Sequence, residues 1–356
     1  MLYREAGQFK VTYATDQQIF PIRQDRIAVI AVAVFAFVVV PLIANQYWLS
    51  AILIPVLIFS LATIGLNILT GYNGQISLGH GAFLAFGAYT SAILVSNYGV
   101  GEYWTIPIAG ILTGVFGFLF GFPALRLSGV YLALATFGLA TSIPLIATRY
   151  TAFAGGGQGK TIPLPSSPIG ALSTNEWLSY LIWAIAGLMF GAAWLILRGS
   201  LGRAFRAVRD APIAAVSSGV SLARYKTLAF AIAAAYAGVA GGLFAIANGF
   251  ASPTAFPVSL SILLLTGAVV GGLGSLEGML FGAIFIQFAP DWGDKLSKQV
   301  HFNEASVQST VFYGLILLIV LFLMPGGAAG LLHKLRPSLK RLREWLYSRA
   351  DSRATA

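Results

Sequence analysis

The chain has 356 residues, of which 57% are hydrophobic and only 10% charged, with a net charge of +10 and a mean hydropathy of +0.80. Soluble domains carry about 25% charged residues, so the composition excludes an ordinary soluble enzyme, and the basic balance takes a topological meaning in place of a nucleic-acid one. Cysteine is absent, which removes disulfides, thiolate catalysis and cysteine-based metal sites, and His80, His301 and His333 lie too far apart in sequence to suggest a metal cluster.

In chain order, residues 1–26 hold charges and Pro21 and show no short apolar core before a small-residue cleavage site. They read as a cytoplasmic N-terminal segment near the membrane surface, not a signal peptide. Ten apolar segments follow, at roughly 27–45, 48–70, 81–97, 104–122, 129–148, 177–197, 227–249, 258–271, 276–290 and 307–324. The expected fold is an all-α, polytopic helical membrane bundle of about ten transmembrane segments, spanning 27–330, with broken or re-entrant helices and a basic cytoplasmic tail at 331–356. Several segments fall short of the roughly 20 residues a straight span needs; the pair 258–271 and 276–290 reads either as a re-entrant hairpin or as two short spans.

Charge bias gives the orientation. With the N-terminus inside, 18 of the 22 Lys and Arg fall on the inner side, six of them in 198–226, and four (Arg149, Lys160, Lys295 and Lys298) fall outside. That asymmetry predicts both termini in the cytoplasm. Glycines are abundant at 40; Gly114, Gly117 and Gly121, and Gly238, Gly241 and Gly242, are spaced for close helix packing. A short echo, Gly74-x-x-Ser77-Leu78 and Gly272-x-x-Ser275-Leu276, is too brief to establish an internal repeat.

From Ile27 to Gly101 there is no Lys, Arg, Asp or Glu, yet Asn67, Tyr72, Asn73, Gln75, Ser77 and His80 interrupt the apolar run among Gly71, Gly74, Gly79 and Gly81. Glycine lets backbone leave the helix, and backbone that does so at membrane depth is buried in protein or lines a watery cavity. The stretch is either a helix break beside a translocation path or a polar loop between two spans. On the first reading Asn73, Gln75 and Ser77 line the path, and His80 is equally open to a structural or a functional role.

Residues 154–161, AGGGQGKT, approach the phosphate-loop pattern, with Ala154 in place of the first Gly. That loop opens a helix, whereas the IPLPSSP that follows Thr161 cannot continue one. A turn-rich external loop is the expectation.

In 198–226, RGSLGRAFRAVRDAPIAAVSSGVSLARYK, Arg203, Arg206 and Arg209 fall along one side of a short helix whose apolar contacts are Ala204, Phe205 and Val208. Asp210 is placed to cap a second helix with Pro212 in its first turn. Ala214 and Ala215 would offer a flat surface, and Gly219 would end the helix. Such a pair of helices suits docking by another protein; the alternative is a basic loop fixed by charge bias.

Together these segments carry a family resemblance. The run from Gly65 to Leu94, Gly129 to Thr136, Gly155 to Gly159, Gly202-Arg203-Ala-x-Arg206-Ala207, Ala214-Ala215-x-x-x-Gly219, Tyr225-Lys226-x-Leu-Ala-Phe230 and Val270 to Ser275 resemble, in order and spacing, the branched-chain amino acid ABC transporter permeases, the M-type (LivM) subunit group in particular. The resemblance covers roughly residues 45–330, and departs where Ile213 stands in place of the family's frequent Glu.

The resemblance implies half of the pore of an ATP-driven importer in the bacterial inner membrane. The implied partners are a sister permease, two cytoplasmic ATPase subunits, a periplasmic substrate-binding protein and membrane lipid, with no nucleic acid. The coupling loop would present Gly202, Arg203, Arg206, Asp210, Ala214, Ala215 and Gly219. No cofactor is expected on this chain, ATP being used by the partner subunits, and neither catalytic nor metal residues are expected. The alternatives are a related permease for urea, short amides or a sugar, and an ATP-independent secondary transporter; the near absence of charge inside the spans argues against the latter.

Overall fold

The computed structural model describes residues 45–127, 129–163 and 173–299, with isolated positions at 31, 314–315, 318–319, 322 and 326–330. The apolar segments expected at 27–45 and 307–324, the N-terminal segment and the basic tail lie outside or almost outside these residues.

In chain order the helices are α1 (Trp48–Tyr72), α2 (His80–Tyr98), α3 (Glu102–Ala124), α4 (Val130–Arg149), α5 (Thr174–Arg198), α6 (Ser200–Asp210), α7 (Pro212–Ser217), α8 (Leu222–Asn248), α9 (Val258–Gly271) and α10 (Gly278–Gln299). Two short strands, β1 (Lys160–Thr161) and β2 (Phe250–Ala251), pair antiparallel at the end of the bundle opposite α6 and α7. Six stretches among the described residues are long and apolar enough to cross a membrane: α1, α3, α4, α5, α8 and Pro253–Gly271. The architecture is that of a polytopic helical membrane protein. The segments expected at 81–97 and 276–290 form α2 and α10, which do not meet that standard of length and hydropathy.

Local chemistry sets the helix ends. Ser173 and Glu176 close a reciprocal capping box at the start of α5, the Ser173 hydroxyl accepting from the Glu176 N–H and the Glu176 carboxylate from the Ser173 N–H, so two backbone donors that lack helical partners are satisfied. α2 and α8 each stop at a glycine in left-handed conformation, Gly99 and Gly249.

The core forms around α8, which lies between α2 and α3. The glycine spacing read from the sequence is used here for close approach. Gly114, Gly117 and Gly121 of α3 face Ala235, Ala234 and Phe230 of α8, and Gly238 and Gly241 of α8 face Ala109 and Thr113 of α3 and Leu84 of α2. A Cβ at Gly241 would stand 2.0 Å from the Leu84 carbonyl oxygen. Small residues of this kind let helix backbones touch where no hydrophobic drive between helices exists. The Tyr236 hydroxyl donates to the Met189 carbonyl at 2.7 Å, joining α8 to α5.

Outward faces stay apolar. Ile111, Val115, Leu119 and Phe122 of α3, Val130 and Leu134 of α4, and Leu188 of α5 are all exposed, an arrangement suited to lipid or a partner subunit.

α9 and α10 form a hairpin of close backbones: a Cβ at Gly267 or Gly271 would run into Ile286 or Gly278. Their connecting bend, 272–277, lies beside the C-terminal end of α1, where the Gly274 N–H donates to Asn67 Oδ1 at 2.8 Å. Both arms therefore reach the end of the bundle that carries α6.

Candidate functional site

The polar stretch of the sequence is a helix break inside the bundle. The last turn of α1 widens into a π-helical turn at Ile68–Tyr72. The chain then turns at Gly74, whose φ of +78° favours glycine. It runs without helix through residue 79 before α2 begins at His80. The imidazole of His80, fully buried, lies beside Gly65 and edge-on to Phe83. Gly65 precedes Gly71 by six helical residues, a rise of about 9 Å, so α2 starts well within the bundle and not at its rim.

Hydroxyl side chains bond backbone groups in and beside the unwound segment, as non-helical backbone away from water requires. Thr136 of α4 accepts from the Leu78 N–H at 3.0 Å, and Ser261 of α9 accepts from the Gly81 N–H at 2.9 Å. The Thr70 hydroxyl donates to the Gln75 carbonyl at 3.0 Å.

Of the residues expected on a path, Gln75 donates to Asn73 Oδ1 at 2.6 Å and to the Lys226 carbonyl at 3.2 Å, which ties the break to the base of α8. Ser77 accepts from the Gly79 N–H at 3.3 Å. All three, Asn73, Gln75 and Ser77, are buried, and in this conformation they belong to a network within the protein.

The loop between α5 and α8 folds as two short helices, α6 and α7. Ala204, Phe205 and Val208 form the buried face of α6, as their spacing predicts. Gly202 is the point of close approach to α5, where a Cβ would stand 2.0 Å from the Leu197 carbonyl oxygen.

The three arginines divide. Arg203 donates to the Arg198 carbonyl at 3.5 Å and Arg206 to the Leu197 carbonyl at 3.3 Å, so both cover carbonyls at the C-terminus of α5, a favourable place for cations. Arg209 points to α1: its Nη1 donates to the Gly71 carbonyl.

Two expectations are corrected here. Asp210 does not cap α7; Ala211 holds that position without a side-chain bond, because the Asp210 carboxylate is taken by Arg209 Nε at 2.7 Å. This hydrogen bond holds the Asp210 carboxyl below its ordinary pKa. Ala214 and Ala215 do not share an exposed surface either. Ala214 is exposed but Ala215 is buried, since Ala215, about 100° further round the turn, falls on the side that faces the protein. Pro212 does start α7, and Gly219, at φ +82°, ends it. The outward tip of α7 is Ile213, 88% exposed, with Val216 beside it.

The signal for Arg209 was its place third in the Arg203–Arg206–Arg209 series; its target, 138 residues earlier, leaves no local mark. Asn67 was likewise visible only as a polar residue in an apolar run. Its Nδ2 donates to the Ser275 carbonyl at 2.9 Å while its Oδ1 accepts from Gly274. At the opposite end, Lys160 and Thr161 of the glycine-rich loop enter β1, in keeping with the prolines that follow.

Comparison with known proteins gives a consistent result. A family model described as the branched-chain amino acid transport system permease component matches residues 48–321. The high-affinity branched-chain amino acid transport system permease protein LivM of Escherichia coli K12 is 34% identical over 309 residues, covering 80% of this chain and 70% of that protein. The LivH permease protein of Salmonella typhimurium is 25% identical over 303 residues, covering 80% of this chain and 93% of that protein. The autoinducer 2 import system permease protein LsrC of Klebsiella pneumoniae is 32% identical over 186 residues, about half of each chain. No solved structure matches.

Proposed function

This chain belongs to the branched-chain amino acid transport permease family, and on that premise we propose that it forms half of the pore of an ATP-driven importer of branched-chain amino acids in the bacterial inner membrane. The sister permease supplies the other half. Two ATPases dock on the cytoplasmic loops of the permease pair, the loop of this chain being 198–226, and a periplasmic binding protein delivers substrate at the β1–β2 end. ATP is consumed by those partner subunits, and this chain holds no cofactor of its own. Both termini lie in the cytoplasm, as the charge bias supports, and about ten segments, including 27–45 and 307–324, make up the membrane domain 27–330.

The observation that carries the reading is the α6–α7 pair. A buried face fixes α6 to the bundle, and α7 holds Ile213 outward, 88% exposed. An apolar tip on a short polar protrusion is a docking feature. On the pore side, the break at 73–79 offers amides and hydroxyls, weak ligands for a zwitterion, and Asn73, Gln75 and Ser77 turn toward the path when the pore opens. Weak binding suits a subunit whose specificity is set by the delivering protein. Branched-chain substrates are favoured over the autoinducer class because the match to LivM covers 80% of the chain and the match to LsrC only 50%.

The test is a mild-detergent pull-down of the tagged chain from its native membrane, with mass spectrometry of the bound proteins. The expected result is a sister permease and two ATPases with wild type, and loss of the ATPases with Ile213→Arg. Wild type recovered alone, with uptake in ATP-free vesicles, would overturn the reading.

A further inference from the structure

The echo between residues 74–78 and 272–276 has a structural counterpart. Both bends reach Arg209 of α6, and each turns at glycine: Gly74 at φ +78°, Gly272 at φ +108° and Gly274 at φ +80°. Asn67, near the end of α1, ties the second bend to the helix that leads into the first, with its amide nitrogen on the Ser275 carbonyl and its amide oxygen accepting from the Gly274 N–H.

Arg209 joins the same junction from α6. Its Nη1 reaches the Gly71 carbonyl in the widened last turn of α1. Its aliphatic stem lies against Gly74, where a Cβ would come within 2.7 Å of Arg209 Cγ; a Cβ at Gly274 would lie 3.4 Å from Nη1. Asp210 fixes the guanidinium from its other side through Nε at 2.7 Å. The planar fork thus presents donors in two set directions, which a lysine ammonium cannot do. Arg203 and Arg206 of the same helix bind carbonyls of α5; Arg209 crosses to the break.

From this geometry we infer that Arg209 is a positioning residue for transport, the strut that passes displacement of α6 and α7 to the helix break at 68–79 and the bend at 272–277. The inference rests on the proposed docking of ATPases at this loop. Without the strut, α6 still packs on α5 through Gly202 and on α8 through Phe205 against Tyr225, so a partner still docks and hydrolyses ATP, but the break no longer follows.

The experiment uses the full assembly of this chain, sister permease, ATPases and binding protein in proteoliposomes, and reads leucine moved per ATP hydrolysed. Arg209→Ala should lower that ratio at least tenfold with the ATPases still bound; Arg209→Lys, which restores the charge without the fork, should fall between. Because the chain has no cysteine, spin labels at Ile76→Cys and Ser218→Cys, both exposed positions, report the distance between break and loop. That distance should be narrow and unchanged by ATP with Arg209 present, and broadened by Arg209→Ala. A ratio within twofold of wild type, or an equally narrow distance, in Arg209→Ala would overturn the strut. Should Arg209→Ala fail to assemble, Arg209→Lys behaving as wild type in both readouts overturns it equally. A wild-type assembly without ATP-driven uptake would instead overturn the docking reading on which it rests.

Discussion

At Gly241 of α8 an added Cβ would stand 2.0 Å from the Leu84 carbonyl oxygen, whereas at Gly274 the nearest atom would be Arg209 Nη1 at 3.4 Å, followed by the Gly71 oxygen at 3.7 Å. The two glycines belong to two kinds of construction. Around α8 backbone meets backbone, with Gly87, Gly238 and Gly241 leaving no room for a side chain. At the α6 end backbone also comes close, a Cβ at Gly71 standing 2.5 Å from the Gly274 nitrogen, but the segments are joined by individual hydrogen bonds to a side-chain amide and a guanidinium. Close-packed interiors transmit strain and deform little, while segments tied to the bundle by a few polar bonds can be displaced together as a unit. The middle of the bundle is thus the frame, and the junction of 68–79, 272–277 and α6 is the part suited to move.

The largest effect should come from breaking the frame. Gly241→Leu places a branched side chain into the backbone of α2, where relief requires helices to separate. It should leave no monodisperse protein in detergent by size-exclusion chromatography. Gly241→Ala, the minimal overpacking change, should cost about 1–3 kcal/mol of stability, read as a lower thermal midpoint. A wild-type profile for Gly241→Leu would show that α8 is not held as the close approach implies.

Breaking the junction should cost less and act locally. Asn67→Ala strands the Gly274 N–H and the Ser275 carbonyl, at about 1–3 kcal/mol. Amide exchange across 272–278 should speed up about ten- to hundredfold while α8 keeps its protection. Equal acceleration in α8 would merge the two regions into one cooperative unit and remove the distinction.

The frame was more legible in the sequence than the junction, for a physical reason. Helix packing by small residues is periodic along one chain segment, so Gly114-x-x-Gly117 and Gly238-x-x-Gly241 announce the faces that meet. Hydrophobic length likewise announced α1, α3, α4, α5 and α8. The junction is made of single long-range bonds: Asn67 to Ser275 and Arg209 to Gly71 join residues 208 and 138 positions apart. The glycines at 74, 272 and 274 marked where the backbone turns but not what it meets. The same limit explains Asp210. Its local sequence suits a cap for α7, but an adjacent arginine already oriented toward α1 competes for the carboxylate and wins, since both donor and acceptor are then charged, whereas a cap N–H is a neutral donor.

Asp210→Asn should have the smallest effect and is the sharpest probe of how the strut is oriented. The carboxylate side chain is 61% exposed, so solvent and salt screen its attraction to Arg209. The asparagine oxygen still accepts from Nε, so orientation of the fork survives loss of the charge. The pH dependence follows from the sign of the shift. The folded-state pKa lies below the ordinary 3.8, so the stabilisation from ionised Asp210 is fully present above that value and is lost only as pH falls through the lower folded pKa. Between pH 6 and 8 neither wild type nor Asp210→Asn should show a change in stability or coupling traceable to this group. If Asp210→Asn lowers the leucine-to-ATP ratio as far as Arg209→Ala does, the charge of Asp210, and not its geometry, holds the guanidinium on Gly71, and the junction is then an ion-pair switch sensitive to salt in place of a fixed strut.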